Sequence, residues 1–211
     1  MTNIADDFFC IVLDEHTGWP RAAPKVASVG LASGLLAELV VAGYAVIDEN
    51  GIHARNVQPP DEPLARQVHE ILLGRPQHRD IGIWLSYLAQ DAFDDIGERL
   101  TAQGVVAPVR KRRLTGSRTV YMPQDLNAFA WPGVRIAGDL TRADAITLAD
   151  LTCVGIAAAT GSVNFLLWDE DLHVSARAAV PSALARLPQP VITLLARTET
   201  AVADAVLTSR N

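Results

Sequence analysis

Arg110, Lys111, Arg112, Arg113 and Arg118 put five cations within nine residues, with no acid among them. The chain is otherwise acidic, with a formal net charge of −6 over 211 residues, so this run is its strongest electrostatic feature. Guanidinium and ammonium groups at that density offer charge-assisted donors to phosphate oxygens, on a lipid headgroup or on nucleic acid. The acidic total argues against nucleic acid as a partner and leaves anionic membrane lipid headgroups as the expected one. The plainer reading of the run is a solvated turn whose charges keep a protruding strand edge from pairing with other chains. Trp19, beside Pro20 and Arg21 in a loop, either seats at a membrane interface or covers the helices beneath it. The candidate lipid-binding set is therefore Trp19, Arg21, Arg110, Lys111, Arg112 and Arg113.

The other groups capable of chemistry do not assemble into a catalytic constellation. Asp91, Asp94, Asp95 and Glu98 have the spacing of a magnesium-diphosphate site, since carboxylates at i, i+1 and i+4 of a helix can share a hard cation. Acids in a first helical turn also simply complement the macrodipole, and no second metal-binding helix is present to complete such a site. The five histidines, His16, His53, His69, His78 and His173, show no i, i+4 pair and no cysteine at zinc spacing. Ser33 has no nucleophile elbow around it, and Gly155 to Gly161 lacks the lysine of a phosphate loop. Cys10 and Cys153 lie in apolar helical patterns and read as buried free thiols. No metal and no cofactor is expected.

These groups must be positioned by a mainly helical scaffold. Val26 to Ala37 is twelve residues without a charge, followed by a single acid, Glu38, set among leucines and valines. A helix apolar on nearly every side belongs at the centre of a bundle. Gly30 and Gly34 lie one turn apart, so a neighbouring helix can approach closely there. The periodicity predicts a first helix over Asp6 to Asp14 and the central one over about 27 to 42. A hairpin of Tyr44 to Ile47 and Ile52 to Val57 follows, turning at Asn50-Gly51. Helices are then predicted from Pro63 to Leu73, Asp80 to Ala89 and around Phe93, Ile96 and Leu100. A second hairpin, Val105 to Arg113 with Arg118 to Met122, turns at Thr115-Gly116-Ser117, with short, mostly polar arms carrying the basic run. Helices over Gln124 to Ala137, Arg142 to Ala159, Val163 to Trp168 and Val191 to Thr208 complete the reading. The fold class is mainly α, a central buried helix wrapped by amphipathic helices with two short β-hairpins. No linker divides the chain, so residues 1–211 are expected to form one domain.

Composition sets the remaining bounds. Apolar residues make up 49% and charged residues 20%, which excludes a disordered chain. No uncharged run approaches the roughly 18 residues of a membrane span. Asp6 and Asp7 stand where a signal peptide would carry lysines, so the chain is expected to stay in the cytoplasm, peripheral on the inner face of the membrane. Only Lys25 and Lys111 among 18 basic residues are lysine, a bias that points to a GC-rich bacterial genome.

The order of these features is similar to the Golgi phosphoprotein 3 family. The resemblance rests on the short apolar helix Asp6 to Asp14, Gly18, and Leu31, Gly34, Leu36, Glu38, Leu39 and Gly43 running into a hairpin. It continues in Trp84 and Leu88, in Glu98, Arg99, Leu100, Gly104 and Val105 before the second hairpin, and in Arg142 to Leu151. It implies a helical domain with a peripheral membrane role, since relatives bind phosphatidylinositol 4-phosphate and the tails of glycosyltransferases. The family's phosphate pocket uses a tryptophan and three basic residues, and those positions fall here on Ala23, Ala32, Asp94 and Gly97. The resemblance thus implies the fold, while general anionic-lipid or protein binding replaces the family's headgroup selectivity.

Three readings follow. The chain is a peripheral adaptor that meets anionic lipid or a membrane-protein or enzyme client through its basic hairpin. Alternatively it is an enzyme or small-molecule binder that uses the bundle core around Asp91 to Glu98. As a third reading it is an interaction protein that forms a homo-oligomer through the second hairpin, as the resemblance to some relatives implies.

Overall fold

The computed structural model describes residues 3–113, 116–142, 146–168 and 173–208. Helix α2, Pro24–Val41, is the axis of the fold. Its neighbours are α1 (Ile4–Val12), α3 (Pro63–Leu73), α4 (Ile81–Leu88), α5 (Ala92–Ala102), α7 (Leu148–Ala159) and α10 (Gln189–Leu207). Val29, Leu31, Leu35, Leu36 and Leu39 are all buried, as the uncharged run predicts. The helix starts earlier than its apolar run because Pro24 occupies the first helical turn, where a missing N–H costs nothing. By length and composition α2 would also pass as a membrane-crossing helix, a test the sequence reading did not expect any segment to meet. Here 72% of it is buried against the rest of the protein, so it serves as a core helix.

Gly30 and Gly34 do what their spacing predicts. A side chain at Gly30 would collide with the Phe8 ring, and a Cβ at Gly34 would lie 2.8 Å from the Ala5 Cα. Helix α1 therefore lies directly on the α2 backbone, and eight of its nine residues are buried. The first hairpin pairs β1 (Ala45–Asp48) with β2 (Gly51–Ala54). Asp48 faces Gly51, so the connecting pair is Glu49-Asn50, one residue earlier than expected. Gly51 takes φ 105°, and a Cβ there would strike the Arg79 carbonyl, so glycine serves a close approach.

Helices α3 and α4 open with Glu62 and Asp80 as N-caps, each accepting from backbone N–H groups of the first turn. The second half departs from the sequence reading in two places. Helix α7 begins at Leu148, not Arg142, because the Thr147 side chain caps the Asp150 N–H at 3.1 Å. An additional helix, α9 (Val174–Leu184), follows the short α8 (Val163–Leu166). Its interior Pro181 disguises it in sequence, since proline ordinarily ends a helical pattern. Helix α6 (Leu126–Leu140) also tolerates an internal proline, Pro132. Among the described residues there are ten helices and two antiparallel two-stranded sheets, a mainly α protein.

Candidate functional site

The basic run sits on a ribbon of two eight-residue strands, β3 (Val106–Arg113), within one residue of its expected bounds, and β4 (Gly116–Pro123), longer than the expected Arg118 to Met122. Gly116 and Ser117 belong to β4, opposite Arg113 and Arg112; the expected turn residue Thr115 lies outside the described residues. The base of the ribbon is anchored, with Val106 and Val120 fully buried and Tyr121 nearly so. Beyond that base Pro108, Val109, Arg110, Arg112, Ser117 and Arg118 are exposed.

Strand geometry splits the basic run. Successive side chains alternate between faces, and directly paired residues share one. Lys111 pairs with Arg118, so these two cations stand on one face. Arg110 pairs with Thr119 and Arg112 with Ser117, which puts them on the other. The Arg110 Nε donates to Ser117 Oγ at 2.8 Å, in keeping with a shared face. Arg112 is exposed, and the Arg113 side chain lies outside the described residues.

The face of Lys111 and Arg118 meets the loop between α1 and α2. Lys111 Nζ donates to the Thr17 carbonyl at 2.6 Å, and the Arg118 guanidinium lies 5.4 Å from the Trp19 ring centroid. Asp14 builds that loop by accepting from the Thr17 and His16 N–H groups at 2.8 and 3.1 Å. The Thr17 bond holds the Asp14 carboxyl below its ordinary pKa. Gly18 is required at φ 69°, and a Cβ there would come within 2.9 Å of both Met122 Sδ and the Tyr121 carbonyl. Trp19 is thus brought to the ribbon. Arg21 is engaged otherwise: its guanidinium pairs with Glu15 and lies 3.9 Å from Asp14.

The opposite face of the ribbon covers α5 at its base. The Tyr121 hydroxyl donates to the Asp94 carbonyl at 3.2 Å, and its ring occupies the space a side chain at Gly97 would need. Tyr121 also packs edge-on against Phe9 and Phe93, with centroids 5.9 and 5.5 Å away. Ala32 is fully buried and Ala23 is the residue before α2. None of the four positions singled out by the resemblance presents a cation. The acids Asp91, Asp94, Asp95 and Glu98 line the start of α5, and among the described residues no cluster of His, Cys, Asp or Glu is arranged to hold a metal.

Beside the ribbon runs a groove of about 1070 Å³ between the start of α2, α4 and α10. Lys25 and Arg118 are among its lining residues, with Ile83, Tyr87 and Ala201. A smaller groove of about 640 Å³, at the Asp48–Gly51 turn and the start of α10, shares Asp80 and Arg197 with it.

The sequence reading missed a buried ionic cluster. Arg99 on α5 is held by Asp6 of α1 at 2.6 Å, Glu38 of α2 at 3.1 Å and Glu62, the α3 cap, at 3.2 Å. Burial outweighs the attraction of Arg99 and pushes the Glu38 carboxyl up to about 7. On the other side of α1, Arg135 of α6 pairs with Asp7 at 2.7 Å and with Asp150 of α7. The signal available in sequence was Glu38 itself, a lone acid in an apolar helix, which must find a cation or a proton. Cys10 and Cys153 are buried free thiols, as read, and burial pushes both well above their ordinary pKa.

Comparison with known proteins now bears on this arrangement. The family model described as Golgi phosphoprotein 3 (GPP34) matches residues 4–207, nearly the whole chain, and the chain belongs to that family. No curated protein matches it.

Proposed function

We propose that this member of the Golgi phosphoprotein 3 family is a peripheral adaptor that attaches to anionic membrane surfaces through the β3–β4 ribbon. One observation carries the reading. Arg110 and Arg112 are exposed on one face of a projecting ribbon, and among the described residues neither has a carboxylate partner. Cations left unneutralised on an acidic protein are free to meet external phosphates. Each Lys or Arg near an anionic bilayer contributes about 1 kcal/mol, fading within a Debye length of about 8 Å at physiological salt. A few such residues suffice for reversible attachment and not for permanent anchoring. The attachment site would be the inner face of the membrane, where the protein could present a client protein to the bilayer.

Co-sedimentation with phosphatidylcholine vesicles, with and without phosphatidylserine, tests this. Binding should need the anionic lipid and vanish between 0.1 and about 1 M salt. Binding that ignores headgroup charge or salt would overturn it. A second reading, a small-molecule binder, is favoured by the groove of about 1070 Å³ alone. It predicts binding that is insensitive to Arg110 and Arg112, which do not line the groove.

A further inference from the structure

We infer that the two faces of the β3–β4 ribbon have separate tasks. Lys111 and Arg118 are positioning residues that hold the ribbon against the α1–α2 loop, and Arg110 and Arg112 make the contact with an anionic surface. The second half of this assignment rests on the membrane reading above; the first half stands without it.

Four consecutive basic residues look like one cluster in sequence, yet in the strand Lys111 stands on one face and Arg110 and Arg112 on the other. On one face the sequence also supplies partners. Lys111 Nζ is spent on the Thr17 carbonyl, and Arg118 lies over Trp19. Met122 and Val120, on that same face, meet the loop at Gly18. These contacts run continuously along β4, from its anchored base toward the tip. Without partners, Lys111 and Arg118 would stand directly opposite each other as like charges, which disfavours the pairing. The Thr17 carbonyl and the Trp19 ring each accept one cation, so the loop relieves that repulsion and gains a fixed ribbon. On the other face the only polar partner of Arg110 among the described residues is Ser117, a neutral group of the ribbon itself. Among the described residues no carboxylate there competes with an external anion.

The test compares two double variants of equal net charge, K111A/R118A and R110A/R112A. Fluorine NMR of 5-fluorotryptophan-labelled protein reads the docking, the Trp19 resonance being identified by its loss in Trp19→Phe. K111A/R118A should shift that resonance and speed amide exchange over residues 14–21. R110A/R112A should leave both unchanged, and the conservative K111R/R118K should restore the parent signal. With phosphatidylserine vesicles, R110A/R112A should lose about 30-fold in affinity, and K111A/R118A much less. A Trp19 resonance indifferent to K111A/R118A overturns the positioning half. Equal vesicle losses from the two double variants overturn the division of labour. If the parent binds no anionic vesicle, the membrane reading fails and takes the second half with it, while the NMR and exchange results still judge the first.

Discussion

The carboxylate of Glu38, buried in the last turn of α2, accepts two 3.1 Å hydrogen bonds from the guanidinium of Arg99 on α5. Its Oε1 also accepts the Ala5 N–H of α1 at 2.8 Å. Three helices thus converge on one side chain. Asp6 and Asp7, adjacent on α1, are taken by different arginines, Arg99 from α5 and Arg135 from α6. The packing of α1 is pinned from both sides by charge as well as by the small residues of α2.

Arg99→Met should destabilise the protein by about 3–5 kcal/mol, because it strands Asp6, Glu38 and Glu62 without a cation. Arg99→Lys should rescue only part of this, since an ammonium cannot reproduce a planar fork that meets three carboxylates. Urea denaturation of the three proteins at one pH measures both losses. A cost below about 1 kcal/mol for Arg99→Met would show the cluster to be solvated.

Glu38 and Asp7 titrate in the folded protein near 7 and 6, above their ordinary carboxylate values, burial being the largest cause for each. Between the ordinary and raised values the folded state holds more protons than the unfolded one, so stability falls as pH rises through that window. Their contribution is complete below about pH 4 and is lost by about pH 7.5. Thermal unfolding from pH 5 to 8 should show a declining melting temperature, and Glu38→Gln should flatten the slope whatever its absolute cost. An unchanged slope in that variant would assign the effect elsewhere.

Gly34→Ala should destabilise although alanine is the better helix former. The new Cβ meets the Ala5 Cα at 2.8 Å, and overpacking against backbone costs about 1–3 kcal/mol against a propensity gain of about 1. Gly133→Ala is the control, because nothing lies within 4 Å of a Cβ built there, in the interior of α6. It should be neutral or stabilising by up to about 1 kcal/mol. The melting temperature should fall in Gly34→Ala and stay the same or rise in Gly133→Ala.

Vesicle titrations at matched surface charge should show no preference for phosphatidylinositol 4-phosphate over other anionic lipids. Ala32 is fully buried, and the Tyr121 ring fills the space over Gly97, so neither position can present a cation to a headgroup. Clear selectivity for that headgroup would place a rebuilt site elsewhere, with Lys25 and Arg118 in the lining of the groove the first candidates.

Much of this protein was legible in its residues because the relevant physics is local. Twelve uncharged residues in a helical pattern mark a helix that must be shielded from water, and Gly30 and Gly34 at one-turn spacing announce a close neighbour. Asp80 and Gly104 mark the ends of helices through capping and positive φ, and Gly34, Glu38, Arg99 and Leu100 carry the family resemblance. What tertiary structure alone decided is which distant groups meet. Glu38 signals that a buried acid needs a partner, but Arg99 stands 61 residues away and only the packing of α5 on α2 brings it there. Alternation divides the basic run in principle, yet no local rule says which face will find Thr17 and Trp19. Helix periodicity and turn chemistry are written in neighbouring side chains. The pairing of charges across the fold depends on how whole elements dock, which is the sum of many small packing terms along the chain.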